Sequence, residues 1–324
     1  MPTAAERRRA FLVLWLTPLF FSGNLVLGRW AVGQVEPFTL AFLRWAIATA
    51  ILFAVAAPGL RQHAEALKRE WRMLLLLGFF GMWLSGGAVY YALKHTTATN
   101  GSLIYSTASV MMLLLDWLFL GRRIGRNAVA GIVLGLSGVA VIVFEGRLER
   151  FFSLSLNTGD LIVAAATAGW SVYSLILKRP VFQAMPTMTL FAGIAGMGTL
   201  TLLPFAAWET IATGHVPTGL KPWGAILVLA VVSSVLAFGA FQYGVRILGP
   251  GIAGMFVYLF PAAAVGMAIL VLGETPKPYH AAGFVLIIAG VVMATAPRDL
   301  IAARWAAFRG RPVSRSSTGP ERSR

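Results

Sequence analysis

The chain contains no cysteine, which removes disulfide frameworks and thiolate metal sites from consideration. Charge is nearly as scarce. Only 12% of the 324 residues are Asp, Glu, Lys or Arg, about half the share in an average soluble domain. The four histidines, His63, His95, His215 and His280, fall in loops or at the ends of apolar runs. The sequence has no His-Glu-x-x-His pattern and no pair of carboxylates inside an apolar segment. The glycines Gly193, Gly196 and Gly198 are not followed by the Gly-Lys-Ser/Thr ending that grips phosphate. These absences speak against zinc-peptidase, paired-carboxylate and nucleotide-loop chemistry. The expectation is a protein that is not an enzyme, uses no cofactor or metal and does not hydrolyse ATP.

Apolar residues are what the chain has in excess: 58% are hydrophobic and the mean hydropathy is +0.76, far beyond a soluble domain. Charge-free runs of helix-spanning length recur throughout. Ten spans are expected, at Ala10 to Val32, Pro37 to Ala57, Trp71 to Leu93, Thr97 to Leu120, Arg126 to Phe144, Gly159 to Leu177, Pro186 to Trp208, Pro222 to Arg246, Pro250 to Leu272 and Pro278 to Ala296. Barrel strands would show stretches of about ten residues with period two, so the fold class is an all-α integral membrane protein. Arg7-Arg8-Arg9 before an apolar run is how a signal peptide opens. The run is long, however, contains Asn24 and lacks a small-residue cleavage site.

The net charge of +15 suggests nucleic acid until the basic residues are sorted by side of the membrane. With the N-terminus inside, 20 Lys and Arg fall on the cytoplasmic side, including Arg61, Lys68, Arg69, Arg72, Arg122, Arg123, Lys178, Arg179, Arg246 and seven in the tail. Six fall outside, balanced by six acids. The excess is therefore a topology signal, with both termini cytoplasmic and no nucleic-acid partner. The tail 298–324, rich in Arg, Ser and Pro, has the composition of a disordered segment able to touch anionic lipid.

The chain also repeats itself. A shift of 152 residues lays Gly87, Ala88 and Tyr91 on Gly239, Ala240 and Tyr243, and Leu120-Gly121 on Leu272-Gly273. The same shift lays Gly131, Leu134, Gly138 and Val139 on Gly283, Leu286, Gly290 and Val291. Around the first span of each copy the shift becomes 149, pairing Phe21-Ser22 with Trp170-Ser171 and Pro37 with Pro186. Five spans per copy is an odd number, so the second copy enters the membrane from the opposite side and the halves are inverted. The resulting organisation is a cytoplasmic N-terminus (1–9), a first repeat (10–145), an external linker (146–158), a second repeat (159–297) and the basic tail (298–324).

Ten spans, a five-helix duplication, and Pro261 followed by Gly273-Glu274, Gly283 and Gly290 resemble the EamA-type branch of the drug/metabolite transporter superfamily. The resemblance runs from Leu12 to Thr295. It departs at Arg122, where the family often has Glu, and at Ser109, which aligns with Pro261. Within the family the chain is similar to YddG-like amino-acid exporters. That likeness implies a bacterial inner-membrane carrier working by alternating access on amino acids, aromatic or otherwise apolar, and related metabolites. A monomer would suffice. Sugars or phosphorylated compounds, and a scramblase or channel, stay open as alternatives.

Polar groups inside spans are costly and point to a substrate path. Thr17, Phe21, Asn24 and Gly28 share a stripe of the first span, and Thr167, Trp170 or Ser171, and Ser174 form its mate on the sixth. Hydroxyl and amide groups beside aromatic rings suit a zwitterion with an apolar side chain. Small polar residues also let helices pack closely, so both uses stay open. Tyr90 and Gln242 are cavity candidates on the third and eighth spans, whereas Tyr91 and Tyr243 read as interface anchors. The fourth span offers Tyr105 or Ser106, Ser109, Met112 and Asp116, and the ninth Gly251, Gly254, Tyr258 and Pro261.

Asn24, Thr17, Tyr90, Trp170, Ser171, Ser174, Gln242 and Tyr258 are thus the expected substrate contacts, and Pro18 and Pro261 the expected hinges. The hairpins formed by spans three and four and by eight and nine would rock about these. Two ionisable residues lie within spans. Arg44 is roughly 10 Å deep at 1.5 Å per residue, where a charge costs about 2.5–3.5 kcal/mol. It reads either as a receptor for a substrate carboxylate or as a residue snorkelling to headgroups. Asp116 reads either as a proton-coupling site or as a balance for Arg122 and Arg123.

Overall fold

In the computed structural model of the protein the described residues are 2–96, 98–121, 124–147, 149, 157–263, 266 and 277–295. Arg122, Arg123, most of the linker 146–158, the Leu272-Gly273-Glu274 turn and the tail 298–324 lie outside them. Among the described residues the secondary structure is helical, without strand. The long helices are α1 (Ala4–Val32), α2 (Pro37–Gln62), α3 (Trp71–Ala92), α4 (Leu103–Leu120), α5 (Arg126–Val143), α6 (Thr158–Ile176), α7 (Thr187–Thr213), α8 (Leu220–Leu248), α9 (Pro250–Ala263) and α10 (Pro278–Thr295). Seven of these, α2 to α8, are long and apolar enough to cross a membrane.

Helix starts follow local chemistry. α1 begins six residues before the expected apolar span because Thr3 and Glu6 form a reciprocal capping box, and its three arginines ride on the first turns. α6 begins with the same device, built from Asn157 and Asp160. Proline, whose missing N–H costs nothing in a first turn, opens α2 (Pro37) and α9 (Pro250). α4 is broken by a turn at Thr107, between the helical stretches Ala98–Ser106 and Ala108–Leu120, and the Thr107 hydroxyl donates to the Ile104 carbonyl at 2.6 Å. Pro18 does not end α1, which runs through it, and Ser22 Oγ donates to the Pro18 carbonyl at 2.6 Å. α9 is interrupted by a 3-10 turn at Phe256–Tyr258, just before Pro261.

The packing is patterned. α5 lies along α10, α2 along α7 and α4 against α9, while α1 packs on α8 as α6 packs on α3. Glycine permits the closest of these approaches. A Cβ added at Gly131 would sit 2.5 Å from the Gly290 carbonyl oxygen, and one at Gly138 would sit 2.6 Å from that of Gly283. α3 and α8 each contain a π-helical stretch, Phe79–Ala88 and Leu229–Leu236. In each, a serine hydroxyl takes the carbonyl five residues back: Ser85 to Phe80 at 2.7 Å and Ser234 to Leu229 at 3.2 Å. Such widened turns displace side chains by a fraction of a turn and are frequent at functional sites.

Polar ties gather at the two ends of the bundle. At one end Lys94 pairs with Glu36 at 2.7 Å, Glu209 accepts from the Thr39 N–H at 2.8 Å, and Thr96 donates to Asp160. At the other, Arg179 pairs with Glu70 at 3.2 Å and Arg246 donates to the carbonyls of Met185 (2.6 Å) and Gln183 (3.0 Å). Large apolar side chains such as Leu118, Phe119, Trp208 and Ile211 face outward, as a multi-pass membrane protein requires of its lipid-facing surface.

Candidate functional site

A cavity of about 100 Å³ lies in the half of the bundle nearer the Lys94–Glu36 end. α1 supplies Phe21, Ser22 and Asn24 to its wall. α2 supplies Arg44, α3 Ser85 and Tyr90, α4 Tyr105, α6 Trp170, α8 Phe238, and α9 Phe260 and Pro261. Pockets for drug-sized ligands run to about 300–1,000 Å³, so this one suits a small metabolite or a partly closed state.

Its polar centre is a three-residue cluster. Asn24 Oδ1 accepts from the Tyr90 hydroxyl at 2.6 Å and from Arg44 Nη1 at 3.1 Å. Arg44 is completely buried, with its guanidinium carbon 5.1 Å from the Tyr90 ring centroid and 5.2 Å from that of Trp45, distances at which a cation is attracted to an aromatic face. Two glycines make the cluster sterically feasible. A Cβ at Gly28 would sit 2.8 Å from Tyr90 Cε1, and one at Gly86 would sit 3.3 Å from Arg44 Nη2. Arg44 Nε and Nη2 have no hydrogen-bond partner among the described residues, and no carboxylate among them pairs with Arg44. A buried cation with two idle donors is a strong attractor for an anion.

Below this cluster the cavity is floored by aromatic rings. Phe21 meets Trp170 edge-on at 6.1 Å, Phe238 at 5.3 Å and Phe260 at 5.2 Å. Trp170 meets Phe238 at 5.0 Å and Phe241 at 4.9 Å. Phe21, Trp170, Phe238 and Phe260 form one contiguous aromatic wall of the cavity.

Of the residues singled out in the sequence, Phe21, Asn24, Arg44, Tyr90, Tyr105, Ser106, Trp170 and Pro261 line the cavity. Arg44 does not snorkel; its head turns inward to Asn24. Thr17, Ser171 and Ser174 lie off the cavity, their hydroxyls donating to the carbonyls of Val13, Thr167 and Trp170 one turn back. Gln242 and Tyr258 are buried away from it. Asp116 lies against Gly251 toward the opposite end, its Oδ2 2.8 Å from where a Cβ would be. Pro18 is in a continuous helix and lines no part of the cavity. Phe238, one of the eighth-span aromatic residues expected to face the cavity, does line it, whereas Phe260 is not singled out by the sequence, because an aromatic residue inside a span looks like ordinary core. Among the described residues no three His, Asp or Glu side chains converge as metal ligands.

Comparison with known proteins agrees with this architecture. An uncharacterized transporter of Archaeoglobus fulgidus is 31% identical over 89% of this chain and 98% of its own. A probable terminal-alkyne amino-acid exporter of Streptantibioticus cattleyicolor is 28% identical over 78% of this chain and 82% of its own. The aromatic amino acid exporter YddG of Ancylobacter novellus is 24% identical over 89% of this chain and 98% of its own. A solved crystal structure covering 91% of this chain and 98% of its own superposes with a TM-score of 0.72 at 24% identity, a likeness of fold. The model of the EamA-like transporter family matches residues 8–144 and again 157–296. A multi-pass helical bundle with this match over most of its length belongs to the EamA-like transporter family.

Proposed function

We propose that the protein is a bacterial inner-membrane carrier that exports amino acids by alternating access, with ten transmembrane helices in two inverted five-helix halves. The observation that carries the substrate class is Arg44: a fully buried guanidinium whose Nε and Nη2 lack partners among the described residues, facing a small aromatic-walled cavity. One carboxylate neutralises one cation. The aromatic floor then receives an apolar side chain, and the Tyr90 and Ser22 hydroxyl oxygens offer acceptors for an ammonium group. A phosphorylated metabolite would bring two negative charges to a single cation, which favours the amino acid.

Duplication is supported by the double family match, by a capping box at the start of both α1 and α6, and by pairings that map onto themselves when each helix is replaced by the one five places on. The reciprocal contacts Gly131–Gly290 and Gly138–Gly283 agree, since the repeat equates Gly131 with Gly283 and Gly138 with Gly290. Arg61, Lys68, Arg69, Arg72, Lys178, Arg179 and Arg246 all lie toward one end. The positive-inside rule assigns that end to the cytoplasm, and the cavity then lies toward the outside. Export is the direction stated in the names of the two exporter relatives. In this reading Asn24, Arg44, Tyr90 and Trp170 touch substrate, Thr17, Ser171 and Ser174 shape their own helices, and Pro261 lets α9 bend at the cavity wall.

The test is counterflow in proteoliposomes with labelled Trp, Phe, Met, Leu, Thr and Ala, with and without a pH gradient. Saturable exchange of amino acids supports the carrier, and a response to the gradient would bring Asp116 in as its proton site. Absence of exchange for the whole panel, with folded protein in the vesicles, overturns the substrate assignment. Non-saturable flux would instead indicate a channel or scramblase.

A further inference from the structure

The aromatic floor hides a second polar pair. Tyr173 lies one helical turn past Trp170 on α6, and Gln242 one turn past Phe238 on α8, both away from the cavity. They are 0% and 2% exposed, and the Tyr173 hydroxyl and both side-chain polar atoms of Gln242 make no hydrogen bond among the described residues. The Tyr173 hydroxyl and the Gln242 amide approach each other closely enough to interact but miss the geometry of a full hydrogen bond. Buried polar groups left without partners are expensive, and a fold keeps them at a cost unless another state uses them.

Their positions in the repeat are informative. The 149-residue offset that equates Phe21 with Trp170 equates Asn24 with Tyr173. The 152-residue offset that equates Tyr91 with Tyr243 equates Tyr90 with Gln242. The hydrogen-bonded amide–phenol pair of the cavity, Asn24 and Tyr90, thus has a counterpart in the other half with the partners exchanged: phenol on the first helix, amide on the third. Clearance is provided in the same way in both places. Glycine Gly28 leaves room for the Tyr90 ring, and Gly81, 3.1 Å from Tyr173 Cε2 at its would-be Cβ, does so for Tyr173. Trp170 stacks on Tyr173 at 5.1 Å and 8°, so the same ring that floors the cavity covers the second pair.

We infer that Tyr173 and Gln242 form a second polar station for the transported molecule, closed in this conformation and opened to the opposite face when the aromatic floor parts. Resting on the carrier reading, it would take the head of a zwitterion: Gln242 both donates and accepts, and the phenol does the same. The position equivalent to Arg44 at the 149-residue offset is Gly193, so the station lacks the cation that Arg44 places beside Asn24 and Tyr90.

Because the chain lacks cysteine, single-cysteine variants give an unambiguous readout. Tyr90→Cys, Tyr173→Cys and Gln242→Cys are placed in right-side-out and inverted vesicles and treated with a membrane-impermeant thiol reagent. L-phenylalanine and L-methionine serve as protecting probes. The expected result is that Tyr90→Cys reacts from the external face, that Tyr173→Cys and Gln242→Cys react from the cytoplasmic face, and that saturating probe slows every reaction. At about ten times Kd the slowing is about tenfold. Reaction of Tyr173→Cys and Gln242→Cys from the external face, or their inertness from both faces while Tyr90→Cys reacts, overturns the inference. So does reaction from the cytoplasmic face that is indifferent to a probe which protects Tyr90→Cys. If no amino acid protects any variant but opposite-face labelling persists, the amino-acid assignment fails and alternate opening of the Tyr173–Gln242 pair stands.

Discussion

Replacing Arg44 by methionine should separate stability from binding in opposite directions. An unbranched apolar side chain fills much of the same space and removes a charge whose place inside a span costs about 2.5–3.5 kcal/mol. Against this gain stand the 3.1 Å bond to Asn24 and the two ring contacts at 5.1 and 5.2 Å. The bond, from a charged donor, contributes about 1.5 kcal/mol at the low end and the ring contacts together about 1 kcal/mol. Asn24 is not orphaned, because the Tyr90 hydroxyl still donates to it. The substrate-free protein should therefore melt at the same temperature or a few degrees higher. Binding should move the other way. A carboxylate seated on Nε and Nη2 makes two charge-assisted bonds of about 1.5 kcal/mol each at the low end. Losing about 3 kcal/mol weakens Kd roughly a hundredfold. The assay is thermal unfolding of purified protein titrated with labelled and unlabelled amino acids. A variant that melts well below the wild type yet binds amino acids within a factor of a few would show Arg44 to be structural, and the carboxylate argument would collapse.

Tyr90→Phe deletes the 2.6 Å donor to Asn24 and should weaken binding about fivefold, for about 1 kcal/mol, with counterflow at saturating substrate less affected; unchanged affinity would remove the cluster from recognition. Trp170→Ala takes away the ring that meets Phe21, Phe238, Phe241 and Tyr173. It should turn tight exchange into leak, seen as tracer loss from vesicles without counter-substrate, and a variant that exchanges without leaking would contradict the floor. Gly138→Ala forces a Cβ to 2.6 Å from the Gly283 carbonyl oxygen and should cost about 1–3 kcal/mol in thermal unfolding. Gly224→Ala, where nothing lies within 4 Å, should be neutral or gain up to about 1 kcal/mol in helix propensity. Equal effects of the two would refute close α5–α10 packing.

Much of this architecture was readable from one-dimensional chemistry because the bilayer leaves few choices: runs long enough to span must be helices, and polar residues within them need a reason. The repeat offsets foretold that Gly131, Gly138, Gly283 and Gly290 matter together, though not which faces which. Helix ends were less legible. The start of α1 depends on the Thr3–Glu6 box, which an apolar window discards, and the π-helical turns in α3 and α8 leave no clear mark on composition. Within the site, stripe periodicity put Asn24 and Phe21 on one face but ranked Thr17 with them, although its hydroxyl is consumed by the Val13 carbonyl. Serine and threonine in membrane helices commonly return their hydroxyl to their own backbone, so their periodicity alone carries little about a ligand. Arg44 was ambiguous because the direction of a long side chain is decided by its neighbours. Gly86 and Gly28, both needed for the inward turn, lie on other helices.

The two halves share a frame and differ where function needs them to. Phe21 and Trp170 are equivalent aromatic residues and meet in the floor, so the closing element is drawn from both copies. Asn24–Tyr90 and Tyr173–Gln242 are equivalent positions in the repeat, and the second pair lacks the cation of the first, since Gly193 occupies the place of Arg44. A carrier whose two faces were identical would hold substrate equally well on both, and binding energy would favour neither state. One buried charge on one side breaks that equality, because a ligand shifts a conformational equilibrium only by its difference in affinity between the states. Under the proposed function, an amino acid on Arg44 would favour the conformation in which the cavity is formed, and release from the neutral pair would be easy. Its absence would leave an unneutralised guanidinium in the protein interior, and that cost would push an empty carrier away from this same conformation. Substrate and charge together would then bias the population toward opposite faces in the loaded and empty states, with a single arginine as the source of both biases.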